Sequence, residues 1–511
     1  MQLNRENIAS IHSDAIQLPG RDLFDLPEKV LQFGTGVLLR GLPGYYIDKA
    51  NKRGVFNGRI VMVKSTVPGG VADFKTQDGL YTHCLRGFED GRIIEENVVN
   101  ASVSRVLTAN KDWEEVLQFA TDPQLQLIIS NTTEIGITLV AEKIDAMPPA
   151  SFPGKLLAVL YKRYQYFNGD VSKGVVIVPT ELVPNNAGTL RSIILQLAEQ
   201  NHLGENFNQW LHASTNFCNS LVDRIVPGKL AAAAKLEMEQ RLGYTDDLMI
   251  MSETYGLWAI EASGDNVKDV LSFHETDSGI IISPDISIYR ELKLRLLNGS
   301  HTFSCGLAFL AGFATVKQAM ADVVFESFIT SLMMNEIATS IPCEPLSEER
   351  ARSFAGSVLD RYRNPFMEHQ WINITLQYSS KMNTRNAPLI NGFVQRNGTI
   401  PQCMSLGLAA WILFMKCERS DDGRYYGEVS GQHYPVNDDH ASIFEGLWKN
   451  YPVDQLVEKV LSNRTIWQAD LSELNGLTAD VSRKLSELMD IGPRKMMQQL
   501  MTQTQIDSKL A

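Results

Sequence analysis

Positive charge is in short supply. The chain has 47 Lys and Arg against 59 Asp and Glu, a net charge of −12 at pH 7. Phosphate backbones require a basic footprint, so this balance argues against nucleic acid as a partner. Long apolar runs are missing too. The longest candidate, Cys305 to Val316, falls short of the ~18 residues that mark a membrane helix. The start, Met-Gln-Leu-Asn-Arg-Glu-Asn, lacks the basic residues and apolar run of a signal peptide. Cysteine is sparse: Cys84, Cys218, Cys305, Cys343, Cys403 and Cys417 are scattered without paired spacing. That pattern predicts free thiols in a reducing cytoplasm and argues against a cysteine-bound zinc site. No internal repeat or low-complexity segment is present. A cytoplasmic protein without membrane or nucleic-acid partners is expected; its oligomeric state is left open, and a monomer is compatible.

At 511 residues, with 44% hydrophobic and 21% charged, the chain exceeds the usual size of one core. Two domains are expected, residues 26–271 and 272–511. The first half alternates strand-like and helical stretches. Val30–Phe33, Arg59–Lys64, Leu125–Ser130 and Gly174–Val178 are near-continuous apolar runs, suited to parallel strands covered on both faces. Trp113–Ala120 and Thr189–Gln200 have helical spacing. The predicted architecture is α/β, a doubly wound Rossmann-type sheet. From about Ile286 the spacing turns helical and stays so, in Arg295–Phe313, Val316–Thr339, Ser347–Arg361, Ser405–Lys416, Pro452–Leu461 and Ser482–Thr502. This predicts a mainly α-helical C-terminal domain.

The first strand runs through Gln32 and Phe33 into Gly34-Thr35-Gly36, then Val37-Leu38-Leu39-Arg40. A strand entering a glycine turn and then a helix presents free backbone N–H groups, the usual cradle for a pyrophosphate. The third glycine of the common fingerprint is absent, and a tight turn without a ligand would look the same. Strand two ends Lys64-Ser65-Thr66, without the acid that reads the adenosine ribose. Both NAD and NADP therefore stay open at this position. Asn131-Thr132-Thr133-Glu134 and Pro179 to Asn186 follow strand ends, where such sheets bind ligands; Asn185 or Asn186 also suits a helix N-cap. In Val222-Asp223-Arg224-Ile225-Val226-Pro227, neighbours on a strand point to opposite faces, so Asp223 and Arg224 are not expected to pair.

Lys293-Leu-Arg-Leu-Leu-Asn298-Gly-Ser-His301 opens the helical half. At about 100° per residue, Asn298 lies roughly 140° round from Lys293, with His301 about 80° round between them. A lysine, a neutral amide and an imidazole able to reach one cavity suit metal-free proton transfer at a carbon–oxygen bond. Leu294, Leu297 and Ala308 share that side, so an amphipathic helix with a snorkelling lysine and a core histidine is the alternative. Gln377 to Asn386 is polar, carries Lys381 and Arg385, and is expected as a loop, either plain surface or an anion clamp. His433 to His440 is expected to be a structural turn, not a metal site.

Lys293-x4-Asn298-x2-His301 resembles the active-site signature of the polyol-specific long-chain dehydrogenases, the mannitol dehydrogenase family. Val222 to Pro227, preceded by Phe217 and Ser220, resembles its most diagnostic segment; Thr215 stands where an aliphatic residue is usual. Gly34-x-Gly36-x3-Arg40 and Thr133-Glu134-x-Gly136 correspond too, and the similarity spans roughly residues 26 to 500. The resemblance implies a zinc-free, nicotinamide-dependent reduction of ketoses or ketouronates, with NAD bound by Gln32, Phe33, Gly34, Thr35, Gly36, Val37, Arg40 and Asn131. It implies Lys293 as general acid/base, Asn298 at the oxyanion and His301 orienting the substrate, with Asp223 and Lys381 binding it. Arg385, four residues on, is the expected carboxylate partner. Departures narrow the substrate. The second oxyanion asparagine of an Asp-Asn pair is replaced by Glu181-Leu182, leaving Asn185 or Asn186 as substitutes. An arginine before Lys381 is here Asn373, and the Phe-His-Arg-Ala-His run is missing. Gln32-Phe33-Gly34-x-Gly36-x-Leu38-Leu39-Arg40 and Tyr434-Pro435-Val436-x-Asp438-Asp439 are closer to the branch that interconverts altronate and tagaturonate. A fructuronate reductase, a mannitol-type dehydrogenase and a nicotinamide-binding regulatory protein that has lost catalysis are the alternatives.

Overall fold

The computed structural model describes residues 1–65, 71–132, 136–341 and 346–510, with side chains as far as residue 503. The chain forms two compact units. One comprises Met1–Gly87 with Ile93–Ile286, the other Phe88–Arg92 with Ser287–Ala511.

The first unit is built on six parallel strands: Glu28–Phe33, Arg59–Lys64, Val103–Thr108, Leu127–Ser130, Val176–Pro179 and Asn216–Phe217. Numbered along the chain, their order is 3-2-1-4-5-6, the doubly wound arrangement whose direction reverses beside the first strand. Alternate residues serve the two faces. Leu31, Phe33, Val61, Val63, Ile128 and Ile177 pack with Trp113, Leu156 and Ile194. Val30, Ile60, Met62, Leu127, Ile129 and Val178 pack with Leu39, Tyr46 and Ile47. Helices cover both faces, which is why these strands read as unbroken apolar runs.

Two smaller sheets were not anticipated. Tyr81–Glu89 lies between Arg92–Asn100 and Ile250–Glu253. Leu257–Glu261 pairs antiparallel with Ser220–Asp223 and parallel with Ile280–Ser283. The sequence reading divides the chain after residue 271; the first unit continues through Ile280–Ser283 to Ile286.

The second unit is helical. Ser300–Leu310 and Gln402–Phe414 pack against each other, and Leu477–Ile491 against the latter, all with 0% exposed residues such as Phe303, Leu406 and Leu485. The expected Val316–Thr339 helix is interrupted because Asp322 caps a new one, its Oδ1 accepting from Val324 N at 2.9 Å and Phe325 N at 3.2 Å. A small antiparallel sheet of Cys417–Arg419, Tyr425–Val429 and Gln432–Pro435 also stands among the helices. Among the described residues three stretches have π-helical i→i+5 bonding: Lys293–Gly299, Leu332–Ile337 and Met382–Asn386. No helix among the described residues is long and apolar enough to cross a membrane.

Candidate active site

At the end of the first strand, Gly34 holds φ +122°, outside the range L side chains adopt readily. A Cβ there would lie 2.8 Å from Leu39 Cδ1 and 3.0 Å from the Asn131 carbonyl oxygen. Gly36, by contrast, faces open space: a Cβ would meet nothing within 4 Å. The turn is thus packed tightly behind and open in front, the shape that lets a ligand approach bare backbone. Gln32 beneath it donates to the Gly34 carbonyl at 2.9 Å, while its buried Oε1 has no partner among the described residues. Thr35 and Val37 are half-buried at the same turn.

Two of the expected cofactor side chains point elsewhere. Phe33 lies in the core, its ring centroid 5.2 Å from that of Phe152. Arg40 is buried, donating to the Leu248 carbonyl at 2.5 Å with its guanidinium over the rings of Phe74 and Tyr81. Burial lowers its pKa. At the end of strand two Lys64 is buried; Thr66 is outside the described residues, as are Thr133 and Glu134.

The neighbouring strand ends are tied together. Asn131 Nδ2 donates to the Thr180 carbonyl at 3.1 Å and to Thr180 Oγ1 at 3.0 Å. Glu181 accepts from Thr132 N at 2.8 Å and from Ser130 Oγ at 3.1 Å. Glu181 therefore fixes the adjacent loop, while Leu182 is exposed. Asn186 does not serve as a substitute oxyanion donor. Its amide is spent on the carbonyls of Pro179, Glu181 and Ser220, at 3.1, 3.0 and 3.0 Å. Asn185 occupies the N-cap position but makes no capping bond; Asn219 Oδ1 accepts from Ala187 N and Gly188 N instead.

Asp223 is buried at the end of its strand, opposite Leu257. Arg224 turns away, donating to the carbonyls of Tyr255, Gly41 and Thr254 at 2.9, 2.7 and 2.7 Å and covering the Tyr45 ring. Opposite facing, as expected for strand neighbours, separates the two charges.

In the second unit, Lys293, Asn298 and His301 lie on one continuous helix, Ser287–Leu310, whose middle is the π segment Lys293–Gly299. The sequence reading assumed α geometry there. With i→i+5 bonding each residue turns the helix less than in an α-helix, so Asn298 lies less far round from Lys293 than α geometry places it. Both side chains are half-buried. The Asn298 side-chain amide has no hydrogen bond among the described residues; its carbonyl accepts from Thr302 Oγ1 at 2.7 Å.

His301 is 9% exposed, its Nδ1 2.8 Å from the Leu297 carbonyl. Since a carbonyl only accepts, Nδ1 carries the proton and Nε2 presents a lone pair. Burial, reinforced by His369, holds the imidazole pKa well below its ordinary value, so the ring is neutral at neutral pH.

The segment Gln377–Asn386, expected as a loop, is helical: Tyr378–Lys381 runs into the π segment Met382–Asn386 and then Ala387–Asn397. Tyr378, Met382, Asn386 and Ile390 recur every fourth residue on its buried side, and only half-apolar spacing betrays the helix. The two π segments are stitched together. Arg295 Nη1 donates to the carbonyls of Thr384 and Arg385, at 3.1 and 2.7 Å, and Asn386 Nδ2 to the Gly299 carbonyl at 3.3 Å. Arg385 Nη1 reaches Thr302 Oγ1 at 3.3 Å, one residue beyond His301. Lys381 donates to the Ile374 carbonyl at 2.9 Å. Burial lowers the pKa of Lys381, with Arg385 the next cause, and burial lowers that of Arg385 as well. Neither cation forms an ion pair among the described residues.

Two family models account for nearly the whole chain: the mannitol dehydrogenase Rossmann domain matches residues 28–270 and the mannitol dehydrogenase C-terminal domain residues 285–489. The chain belongs to the mannitol dehydrogenase family. It is 37% identical to a protein named altronate oxidoreductase from Halalkalibacterium halodurans, with 94% of each chain covered. A protein of the same name from Bacillus subtilis is 36% identical over 93% of this chain and 95% of that one. Among solved structures, the fold matches Pseudomonas fluorescens mannitol 2-dehydrogenase in ternary complex with NAD and D-mannitol, with a TM-score of 0.67 and 22% identity over 98% of this chain and 100% of that one. It also matches a substrate-free D-sorbitol dehydrogenase, with a TM-score of 0.74 and 17% identity over 97% and 100%.

Membership of this family makes the chain an oxidoreductase acting on CH–OH groups. Several residues of this family member's site escape sequence reading. Tyr362, His369 and Trp371 surround the His301 ring, with centroids 4.3, 5.2 and 6.0 Å away. They lie some sixty or more positions downstream and carry no local motif. Asn373 is exposed on the short helix Trp371–Ile374. His433 belongs to a strand and His440 to the turn after it; among the described residues no group of three or more His, Cys, Asp or Glu is arranged to hold a metal ion.

Proposed function

We propose that this chain is an NAD-dependent tagaturonate reductase, interconverting D-altronate and D-tagaturonate in hexuronate breakdown. The observation that carries the reading is the pair Lys381 and Arg385, two half-buried cations without carboxylate partners among the described residues, stitched to the helix of Lys293, Asn298 and His301. Such a pair is a standing demand for an anion, and arginine binds carboxylates through two N–H groups. Neutral ketoses leave that demand unmet. The altronate oxidoreductase names of relatives 35–37% identical over most of the chain support the same substrate.

In the direction of reduction, the Lys293 ammonium gives its proton to the ketone oxygen as the carbon is reduced. The Asn298 amide donates a hydrogen bond to that oxygen as negative charge develops. His301 accepts from a substrate hydroxyl through Nε2, which fixes the face presented. Asp223 joins the substrate-side hydrogen bonds, a role taken from the family resemblance. NADH supplies the hydride when bound, and Gly34, Thr35, Gly36, Val37 and the orphaned Gln32 Oε1 suit its pyrophosphate and ribose. Lysine proton transfer without a metal completes the reading.

The test is NADH and NADPH oxidation measured with tagaturonate, fructuronate and fructose; preference for NADH with tagaturonate supports the reading, and preference for fructuronate or fructose overturns it. Arg385→Ala should raise KM for tagaturonate roughly 10- to 100-fold, the equivalent of about 1.5–3 kcal/mol for a charged hydrogen bond, and change KM for fructose little. Equal rises for both would place the carboxylate clamp elsewhere.

A further inference from the structure

Gln377 directly precedes the helix that carries Lys381 and Arg385, and it holds a left-handed backbone with φ 52°. A residue with a side chain takes that conformation at a cost, and keeps it only when its surroundings impose it. Here the surroundings are the turn Asn437–His440. Gln377 N donates to the Asn437 carbonyl at 2.9 Å. Its side-chain amide donates to Asp439 Oδ1 at 2.9 Å, and its Oε1 accepts from Asp439 N at 3.3 Å.

Asp438 completes the arrangement. Its side chain is 1% exposed, with Oδ2 accepting from Ser379 N at 2.7 Å and Oδ1 from His440 N at 2.9 Å. It therefore does for this helix what an N-cap does, but from a distant turn, and sets a negative charge against the positive end of the helix. Lys381 N closes the first turn onto the Gln377 carbonyl at 3.2 Å. The direction in which the helix leaves this anchor decides where the Lys381 and Arg385 side chains stand.

We propose that Asp438, together with the Gln377–Asp439 pair, is a positioning element for substrate-carboxylate binding, acting through Lys381 and Arg385. The proposal rests on the carboxylate reading of those two cations. Asp438→Ala should raise KM for tagaturonate at least fivefold with kcat within threefold, and Asp438→Asn, which keeps an acceptor for Ser379 N, should bring KM back to within twofold. Gln377→Gly separates position from folding, because glycine is at ease at this φ: it should raise KM at least threefold without lowering Tm. The double variant Asp438→Ala/Arg385→Ala should raise KM by clearly less than the product of the two single effects, since only Lys381 is then left to be misplaced. Unchanged KM in Asp438→Ala and Gln377→Gly overturns the proposal, as do additive effects in the double variant or a fall in kcat that tracks a fall in Tm. If Arg385→Ala raises KM while Asp438→Ala does not, only the positioning role fails. If Arg385→Ala is itself silent, the carboxylate reading fails and the positioning role falls with it.

Discussion

Buried charge in the second unit takes two forms, and they have different consequences. Lys381 and Arg385 are half-buried cations without ion pairs among the described residues, proposed above to bind a carboxylate. Glu336 is a carboxyl kept for the fold: on the π segment Leu332–Ile337, 6% exposed, it accepts from Cys403 N at 2.7 Å and Met404 N at 2.8 Å, at the start of the helix Gln402–Phe414. Burial pushes its pKa up from 4.5 to about 7, against the opposing pull of those two N–H donors. A folded-state pKa above the unfolded value means that the native chain holds a proton the unfolded chain has released. Stability from this group is thus full below about pH 4.5 and is lost as pH rises through about 7, on the order of 3 kcal/mol. Tm measured from pH 4.5 to 8 in wild type and Glu336→Gln should diverge, wild type showing the additional fall and the variant lacking it. Parallel curves would remove Glu336 from the account.

Elements carry the next distinction, between what a spacing pattern reveals and what it conceals. Arg59–Lys64 is found as read, because a strand covered on both faces needs an unbroken apolar run. The glycine turn is found for a similar reason: φ +122° at Gly34 is open to glycine alone. The π segments are concealed, since a helix widened by one residue per turn keeps nearly the same apolar spacing. That widening reduces the angle between Lys293 and Asn298 round the helix, and no residue between them announces it. Gln377–Asn386 reads as a loop in the sequence because its helix is held by Asp438, distant in the chain. The turn itself is tested by its two glycines. Gly36→Ala meets no atom within 4 Å, so Tm should hold while NADH binding falls at least tenfold, the methyl standing on the open side. Gly34→Ala should lower both, with ~1–3 kcal/mol of strain. NADH fluorescence titration and thermal melts of both variants decide; unimpaired NADH binding by Gly36→Ala would exclude the open side of the turn as the pyrophosphate site.

Over the whole molecule, the glycine turn and Lys293 fall in different compact units. Lys293→Ala should therefore abolish turnover, lowering kcat by a factor of 10² or more as expected for loss of a general acid, while leaving the Kd for NADH within about twofold. Substantial remaining kcat in steady-state assays would refute the lysine assignment. The sequence by itself determined the fold class, the parallel strands and the family, because apolar periodicity, glycine conformation and motif spacings are local properties; the role of Lys293, Asn298 and His301 is a proposal. Only the tertiary structure decided that Arg40 and Asn186 are spent on backbone carbonyls, that Glu181 secures a neighbouring loop, and that a turn near residue 438 anchors the helix of Lys381. The physical reason is that a hydrogen-bonding side chain is committed by whichever partner the fold brings to it, and for Arg40, Glu181 and Asp438 that partner lies tens to hundreds of residues away.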